Sequence, residues 1–308
     1  MTSEFKDATF TTFTRFQALG GNLCAPAWFH ARQPEQPMPF NLRPLALALC
    51  LLAGPALAAP TCQTGSFDSW LDGLRQEAAA QGVSKSAIAA ALSGVSFDQG
   101  VLRHDRGQKV FRQTFEEFSA RMVNPRLTRA AAMLRKHAAL FQRIEAQYGV
   151  PPEILVAIWG LETDFGSYNG SFPTIQALAT LAYDCRRSEM FRAELIDALR
   201  IVDRGDMQPA AMRGAWAGEI GQTQFMPSSY LKFAVDYDGD GRRDLVASVP
   251  DVLASTANFL KGYGWKRGQG WEPEQPNFPV IKEWNKASVY SRTIAYFATR
   301  LAEGRGLH

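Results

Sequence analysis

The sequence has few of the residues on which several common enzyme mechanisms depend. Four histidines occur in 308 residues, and none forms a metal-binding pair, so the sequence does not support zinc hydrolysis. It contains no nucleophile elbow and no glycine loop of the phosphate-cradling type. None of its cysteines stands in a recognisable nucleophile signature. Chemistry that depends on a single acidic side chain remains compatible with these absences.

Charge is also sparse. Charged residues make up 20% of the chain, apolar residues make up 46%, and the net charge is +3. This composition is typical of a chain that buries a core, in one large domain or two small ones, and not of a disordered one. The mild positive charge suits an anionic polymer but is far below that of a nucleic-acid binder, so we expect no nucleic-acid partner. The sequence shows no internal repeat and no low-complexity tract.

The apolar run near the N-terminus is short. Arg43 precedes the apolar stretch 45–53, and the small residues Ala56 and Ala58 bracket a cleavage site. This order predicts a cleavable secretory signal peptide over residues 38–58, export to the periplasm and no stable membrane insertion. A short buried helix is the alternative interpretation.

The residues before this signal carry no periodic segment. Because a signal peptide begins a chain, we expect residues 1–37 to be a disordered upstream extension and Met38 to be the true start. Leu49 precedes Cys50 where a lipoprotein signal needs a small residue, so we do not expect lipidation. N-terminal sequencing of the unprocessed protein tests the start.

Two of the four cysteines, Cys24 and Cys50, fall in segments that the mature protein should lack. Cys62 and Cys185 remain, and an even number of cysteines in an oxidising compartment predicts one disulfide. Two buried free thiols are the alternative.

Helical periodicity dominates the rest of the chain, and strand signals are sparse. We predict two helices within 67–92 that are separated at Gly82–Ser84, with Ser84 as an N-cap, and a helix that begins at Pro151-Pro152. The other predicted helices cover 108–122, 127–148, 174–181, 190–203, 227–233, 252–263 and 289–303. Residues 267–279 are predicted to be loop. The pattern predicts one mainly helical domain with a small inserted loop region.

Glu162 stands out within the helix predicted after Pro152. It lies seven, four and three residues after Leu155, Ile158 and Trp159, so it belongs to their apolar stripe. A carboxyl group there faces the interior or a cleft wall, and loss of solvent raises its pKa, as a general acid requires. A core glutamate that is satisfied by an arginine or by backbone donors is the alternative. Asp164 is predicted to be ordinary solvated surface.

A glycine-punctuated segment, residues 214–227, carries the amides Gln222 and Gln224 and the aromatic residues Trp216 and Phe225. Amides can hydrogen-bond sugar hydroxyl and acetamido groups, and aromatic faces can stack on sugar rings. A structural turn that is rich in core aromatic residues explains the composition equally well.

An acidic stretch, residues 236–244, matches the start of a calcium loop. Ala247 stands where such loops carry a bidentate glutamate, which weakens the match. Asp251 could close the site from a longer loop, although Pro250-Asp251 is also typical of a helix start. The alternative is a solvated acidic turn, and in either case the role is structural. The predicted metal ligands are Asp236, Asp238, Asp240, Arg242, Asp244 and Asp251.

The segments AIWGLETDFGSYNG (157–170) and GAWAGEIGQTQFMPSSYLKFAVDYDGDGRRD (214–244) closely resemble the lytic murein transglycosylase B family. The resemblance extends over nearly the whole predicted mature chain. It implies a mainly α, lysozyme-like (α+β) catalytic domain over residues 62–302, with a deep glycan cleft and a small calcium-loop insertion. It further implies cleavage of the β-1,4 bond between N-acetylmuramic acid and N-acetylglucosamine in peptidoglycan.

By this resemblance, Glu162 matches the single catalytic acid/base, which serves both steps of a reaction that forms a 1,6-anhydromuramyl end. The C6 hydroxyl of the substrate acts as nucleophile, so no second catalytic carboxylate and no cofactor is needed. The resemblance implies peptidoglycan strands as partner, alongside proteins of the cell-wall machinery, and calcium in the acidic loop. The implied substrate-binding residues are Gln224, Asn285, Tyr230 and Tyr290, and the composition of residues 214–227 adds Trp216.

The chain departs from the family pattern at Ala215, where some members carry a serine close to the catalytic glutamate. Two alternative functions remain open. One is a hydrolytic muramidase in which Glu219 activates water, and the other is a peptidoglycan-binding scaffold without catalysis.

Overall fold

The computed structural model describes residues 65–107 and 113–305. The predicted upstream extension (1–37), the predicted signal peptide (38–58) and Cys62 lie outside the described residues. The described helices are α1 (Phe67–Ala80), α2 (Lys85–Leu92), α3 (Gln99–Arg106), α4 (Phe115–Val123), α5 (Leu127–Lys136), α6 (Ala138–Tyr148), α7 (Pro152–Thr163), α8 (Thr174–Tyr183), α9 (Ser188–Asp203), α10 (Pro227–Phe233), α11 (Val249–Gly262), α12 (Phe278–Trp284) and α13 (Ser288–Arg305). Short 3₁₀ turns cover Asn124–Arg126 and Pro209–Ala211. The mainly helical prediction is confirmed.

Side-chain caps define several helix starts. The Ser84 hydroxyl accepts a hydrogen bond from the Ala87 N–H at 3.2 Å, which confirms the predicted N-cap of α2. Thr114 and Glu117 form a reciprocal capping box at the start of α4. Each cap satisfies backbone N–H groups that the first helical turn leaves without a partner.

Helix α7 forms the centre of the fold. All twelve of its residues are buried, and it packs against α5, α6, α11 and α13. Gly160 allows the close packing on one side, because a Cβ atom there would lie 2.8 Å from the Phe165 ring and 3.2 Å from the Phe297 ring. A helix that is surrounded in this way holds its side chains in fixed positions.

A two-stranded antiparallel sheet has its first strand shortly after the C-terminal end of α7 in the sequence. Strand β1 (Phe172–Pro173) pairs with β2 (Arg213–Gly214), with Phe172 opposite Gly214. The pairing brings the segment after β2 close to the loop that follows α7.

The helix predictions were wrong in four places. The helix predicted over 108–122 begins at Phe115, and residues 108–112 lie outside the described part of the chain. The helix predicted over 127–148 is two helices, because His137 leaves the helical conformation (φ −109°, ψ 21°). Helix α3 was not predicted, and α12 begins within the predicted 267–279 loop. Within the described residues, no helix combines the length and the apolar character that crossing a bilayer requires.

Candidate functional site

Glu162 lies in the last turn of α7 and is 2% exposed. The predicted burial of its carboxyl group is confirmed. The apolar stripe alone does not single out Glu162, because every position of α7 is buried and a polar residue elsewhere on the helix would be enclosed as well. What distinguishes Glu162 is the set of groups around its carboxyl.

Two side chains from the C-terminal part of the chain meet this carboxyl group. The Trp284 indole N–H donates a hydrogen bond to Glu162 Oε1 at 2.9 Å. The buried hydroxyl of Tyr290 lies beside the same carboxyl and interacts with it, although it makes no hydrogen bond of good geometry. The end of α12 and the start of α13 therefore form the wall that faces Glu162.

The electrostatics keep Glu162 protonated at neutral pH. Burial raises the pKa of Glu162 from 4.5 to about 8, the polar contacts from Trp284 and Tyr290 lower it, and the charge of Glu219 raises it. Desolvation disfavours the ionised form more than the Trp284 hydrogen bond and the nearby Tyr290 hydroxyl favour it. A carboxyl group with these properties can act as a proton donor near pH 7.

The segment that follows β2 is fixed by Gln224. Its side-chain oxygen accepts a hydrogen bond from the Ala215 N–H at 3.1 Å. Its side-chain nitrogen donates to the carbonyl groups of Gly221 at 2.5 Å and of Asn169 at 3.1 Å. These bonds occupy the amide with backbone groups and tie residues 214–224 to the loop after α7. The predicted contact of Gln224 with glycan stays a prediction.

Gln222 makes a second connection to α7. Its side-chain oxygen accepts a hydrogen bond from the Trp159 indole at 2.8 Å, and its side-chain nitrogen donates to the Val246 carbonyl at 2.8 Å. Its own carbonyl accepts a hydrogen bond from the Thr163 hydroxyl at 2.5 Å. The helix that carries Glu162 is thus coupled to the end of the acidic loop.

Asp164 was predicted to be ordinary solvated surface, but it has a structural role in the loop after α7. It ends α7 in a left-handed conformation (φ 52°) and forms ion pairs with Arg129 at 3.0 Å and Arg126 at 3.5 Å. These contacts hold the loop after α7 against the α4–α5 region.

The acidic loop brings three carboxylates together. Oxygens of Asp236, Asp238 and Asp251 lie within 4.8 Å of one another. Asp251 is fully buried and belongs to the first turn of α11, so the predicted helix start is confirmed. Its closing of a metal site stays a prediction, with which its place in this cluster is compatible. Its carboxylate accepts hydrogen bonds from the backbone N–H groups of Tyr237 at 2.7 Å and Asp244 at 2.8 Å. The oxygen-only donor set and the mutual repulsion of the carboxylates fit a calcium ion.

The other predicted ligands, Asp240, Arg242 and Asp244, form contacts outside the cluster of three carboxylates. Asp240 pairs with the Arg242 side chain at 3.2 Å, and Asp244 accepts hydrogen bonds from the Val246 and Ala247 N–H groups. Their part in metal binding stays a prediction.

The predicted substrate residues occupy different environments. Tyr290 lies at Glu162, and Asn285 directly follows Trp284 and is 2% exposed. Tyr230 is fully buried, and its hydroxyl donates to the Arg243 carbonyl, at the acidic loop. Trp216 packs into the core at 7% exposure. The observed contacts of Tyr230 and Trp216 are structural, and their contact with substrate stays a prediction.

Sequence reasoning missed Trp284 as a site residue. Its indole packs edge-on against the rings of Phe225 and Phe259, which directs its N–H to Glu162. Its place immediately before Asn285 was the one available signal.

This chain is similar to proteins of known family and structure. Residues 66–276 match the family model described as Transglycosylase SLT domain. The membrane-bound lytic murein transglycosylase B of Escherichia coli (strain K12) is 42% identical over 138 residues, which cover 42% of this chain and 38% of that relative. The match therefore spans well under half the length of that protein.

Solved structures share the fold. SltB3 from Pseudomonas aeruginosa, in complex with NAG-anhNAM-pentapeptide, superimposes with a TM-score of 0.74 at 32% identity, over 78% of this chain and 80% of SltB3. The Escherichia coli lytic transglycosylase Slt35, in complex with calcium, has a TM-score of 0.67 at 24% identity, over 82% of this chain and 98% of Slt35. The second likeness concerns the fold alone. The family match over residues 66–276, together with the likeness to SltB3, shows that this chain belongs to the transglycosylase SLT domain family.

Proposed function

We propose that this protein is a lytic transglycosylase that cleaves the β-1,4 bond between N-acetylmuramic acid and N-acetylglucosamine in peptidoglycan. The observation that carries the proposal is the buried carboxyl of Glu162, which keeps its proton at neutral pH and lies against Trp284 and Tyr290. The peptidoglycan fragment bound to SltB3 supports the substrate class.

Glu162 acts in two steps. Its carboxyl proton passes to the glycosidic oxygen as the bond from that oxygen to C1 of the muramyl residue breaks. The resulting carboxylate then accepts the proton of the muramyl C6 hydroxyl as that oxygen bonds to C1. Glu162 returns to its protonated state, no water is consumed, and the product carries a 1,6-anhydro ring.

Burial supports this double role. The enclosed carboxyl holds its proton for the first step. The hydrogen bond from Trp284 and the neighbouring hydroxyl of Tyr290 stabilise the carboxylate that the first step creates. We propose that Tyr290 and Asn285 contact the sugar next to Glu162. Gln224, Trp216 and Tyr230 then line or support the cleft.

Product analysis tests the reaction. Mass spectrometry of muropeptides released from sacculi is expected to find anhydromuramyl ends, which are lighter by one water than the ends that hydrolysis leaves. Products with one added water would instead support the hydrolytic muramidase, and absence of any released product would support the binding scaffold.

We further propose that the acidic loop binds a structural calcium ion through Asp236, Asp238 and Asp251, with Asp240, Arg242 and Asp244 completing the loop. Burial raises the pKa of Asp251, and the charge of Asp238 adds to that rise. A cation in the loop would offset the repulsion between the two carboxylates. Calcium takes no part in the proton transfers.

Calcium at 10 mM is expected to stabilise the protein by about 1.4–2.7 kcal/mol if the loop binds with the millimolar to submillimolar affinity of weak sites. Thermal unfolding with and without calcium measures this, with magnesium as the ion control. Asp251→Asn should abolish the calcium-dependent rise in Tm, whereas Asp203→Asn, at an exposed position on α9, should retain it. An equal rise in both variants would place the ion elsewhere.

For location, we propose removal of residues 38–58 on export and action in the periplasm, with residues 62–302 as the catalytic domain and a Cys62–Cys185 disulfide. N-terminal sequencing of exported protein is expected to begin at Ala59, and a protein that keeps its N-terminus would contradict this. Thiol counting under denaturing, non-reducing conditions tests the disulfide.

A further inference from the structure

Arg126 places a cation beside the last turn of α7, and the reaction described above does not use it. It ends the 3₁₀ turn Asn124–Arg126 that follows α4, and its side chain is 11% exposed. A guanidinium with so little access to solvent needs partners that offset the loss of water. Those partners lie on two different helices.

The first partners flank Glu162 along the chain. The Arg126 Nε donates a hydrogen bond to the Gly160 carbonyl, two residues before Glu162, at 2.9 Å. The same nitrogen lies 3.5 Å from a carboxylate oxygen of Asp164, two residues after Glu162. The Gly160 carbonyl also accepts the Asp164 N–H at 3.1 Å. Arg126 therefore closes the end of α7 around the residue that carries the proton.

The other partner lies on α4. The Arg126 Nη1 donates to the Met122 carbonyl at 2.8 Å. About one turn earlier in the same helix, the Phe118 ring packs against the Tyr290 ring, with centroids 6.1 Å apart. One guanidinium thus joins the helix that packs on Tyr290 to the helix turn that carries Glu162.

This connection bears on where the Glu162 carboxyl lies. The carboxyl meets Trp284 at 2.9 Å and has Tyr290 beside it, and both of these residues come from a distant part of the chain. Proton transfer depends steeply on position, since a displacement of about 1 Å can cost about 100-fold in rate. A shift of the last turn of α7 relative to α4 would change these spacings.

We propose that Arg126 is a positioning residue that acts through the backbone of α7. It fixes the last turn of α7 against α4 and so holds the Glu162 carboxyl in place relative to Trp284 and Tyr290. This inference rests on the proposed function of Glu162. It assigns Arg126 no contact with substrate and no part in proton transfer.

Steady-state kinetics on soluble glycan strands test the proposal. Arg126→Met keeps a long side chain but removes every donor, so kcat is expected to fall about 10- to 100-fold while KM changes by less than about twofold. Arg126→Lys keeps the charge but cannot reproduce the fork of donors, so its kcat should lie between those of the wild type and Arg126→Met. A loss that appears in KM alone, or a wild-type kcat in Arg126→Lys, would overturn the proposal.

Arg129→Met is the matched control. Arg129 pairs with the same carboxylate, that of Asp164, at 3.0 Å, and it also bonds the Ser167 side chain. Its side chain is 44% exposed, and these partners belong to the loop after α7. Its replacement should leave kcat near the wild-type value. An equal loss of kcat in Arg129→Met and Arg126→Met would assign the effect to the Asp164 ion pairs and overturn the role of the backbone contacts.

Proton–nitrogen NMR of the indole groups gives a measurement without substrate. The Trp284 indole N–H, identified by its loss in Trp284→Phe, reports its hydrogen bond to Glu162. In Arg126→Met this signal should move upfield, and its hydrogen exchange should accelerate at least about tenfold. The Trp265 indole, which donates to the Gly149 carbonyl at 3.0 Å, is the internal reference for overall stability and should change little. Arg126→Lys serves for the same comparison if Arg126→Met does not fold.

The two measurements separate failure of this inference from failure of the proposed function. An unchanged Trp284 signal, or equal acceleration at Trp284 and Trp265, overturns the inference even if anhydro products form, because Arg126 would then contribute only to general stability. A selective change at Trp284, in a protein whose wild type forms no anhydro products, supports the positioning and contradicts the proposed function.

Discussion

Glu162→Gln is expected to reduce glycan cleavage by at least about 10³-fold, since one residue supplies both the proton donor and the proton acceptor. Glutamine cannot donate a carboxyl proton, yet its amide oxygen can still accept the hydrogen bond from Trp284. A turbidity assay on sacculi, followed by analysis of the soluble muropeptides, measures the loss. Equal clearing by the variant and the wild type would end the catalytic assignment.

The loss of activity should not come from loss of folding. The pKa of Glu162 rises from 4.5 to about 8 on folding, so between these pH values the folded state holds a proton that the unfolded state has released. The contribution of Glu162 to the free energy of unfolding of the wild type therefore falls as the pH rises from about 4.5 to about 8 and then levels off. Glutamine does not titrate, so the Tm of the variant relative to wild type should increase over the same interval.

Glu153→Gln is the matched control. Glu153 is buried in the first turn of α7, in the same helix but at its opposite end. Its replacement should leave cleavage near the wild-type rate. A comparable loss in both variants would mean that any buried carboxyl of α7 supports activity indirectly.

The sequence alone could predict Glu162 because its evidence is local. A carboxyl at helical spacing from Leu155, Ile158 and Trp159 belongs to an apolar stripe whatever the rest of the chain does. The long motifs around it then indicate the family. The partner Trp284 is 122 residues away in sequence, and such a contact depends on how α7, α12 and α13 pack, which periodicity does not encode.

Composition was a poor guide to what each polar side chain contacts. The amide of Gln224 suits a sugar, but it also suits the backbone groups of Ala215, Gly221 and Asn169, which it bonds in the structure. The helix errors have a similar cause. Helices α3 and α12, of eight and seven residues, span about two turns each, as do the correctly predicted α2 and α10. At this length the periodic pattern is weak, and the existence of a helix depends on caps and packing.

At the acidic loop the sequence allowed two interpretations of Asp251, of which the helix start is confirmed and the closing of a metal site stays a prediction. Asp251 lies in the first turn of α11 and also directs its carboxylate into the loop. A helix start and a loop closure are compatible because the first-turn side chain points back toward the residues that precede the helix.

Gly170→Ala is expected to be among the most destabilising single substitutions near the site. Gly170 has a left-handed backbone (φ +99°), and an added Cβ would overlap the Gly214 carbonyl group and lie 2.7 Å from the Ala215 nitrogen. These are backbone atoms of β2 and its continuation, so they cannot rotate away. We expect a loss of about 3–4 kcal/mol, which combines backbone strain with steric overlap.

Gly264 separates the two contributions to this loss. It has nearly the same backbone conformation (φ +95°), but an added Cβ there would meet no atom within 4 Å. Gly264→Ala should therefore cost about 1 kcal/mol, from strain alone, and lower the Tm by about 2–4 °C, against roughly 6–16 °C for Gly170→Ala. The overlap at Gly170 pushes on Ala215, whose N–H is hydrogen-bonded to Gln224. The rate of glycan cleavage, measured at a temperature at which both variants are folded, should therefore be lower in Gly170→Ala and unchanged in Gly264→Ala. Equal destabilisation of the two variants would show that backbone strain accounts for the whole effect. The close approach of the loop after α7 to β2 would then not be what holds residues 214–224 in place.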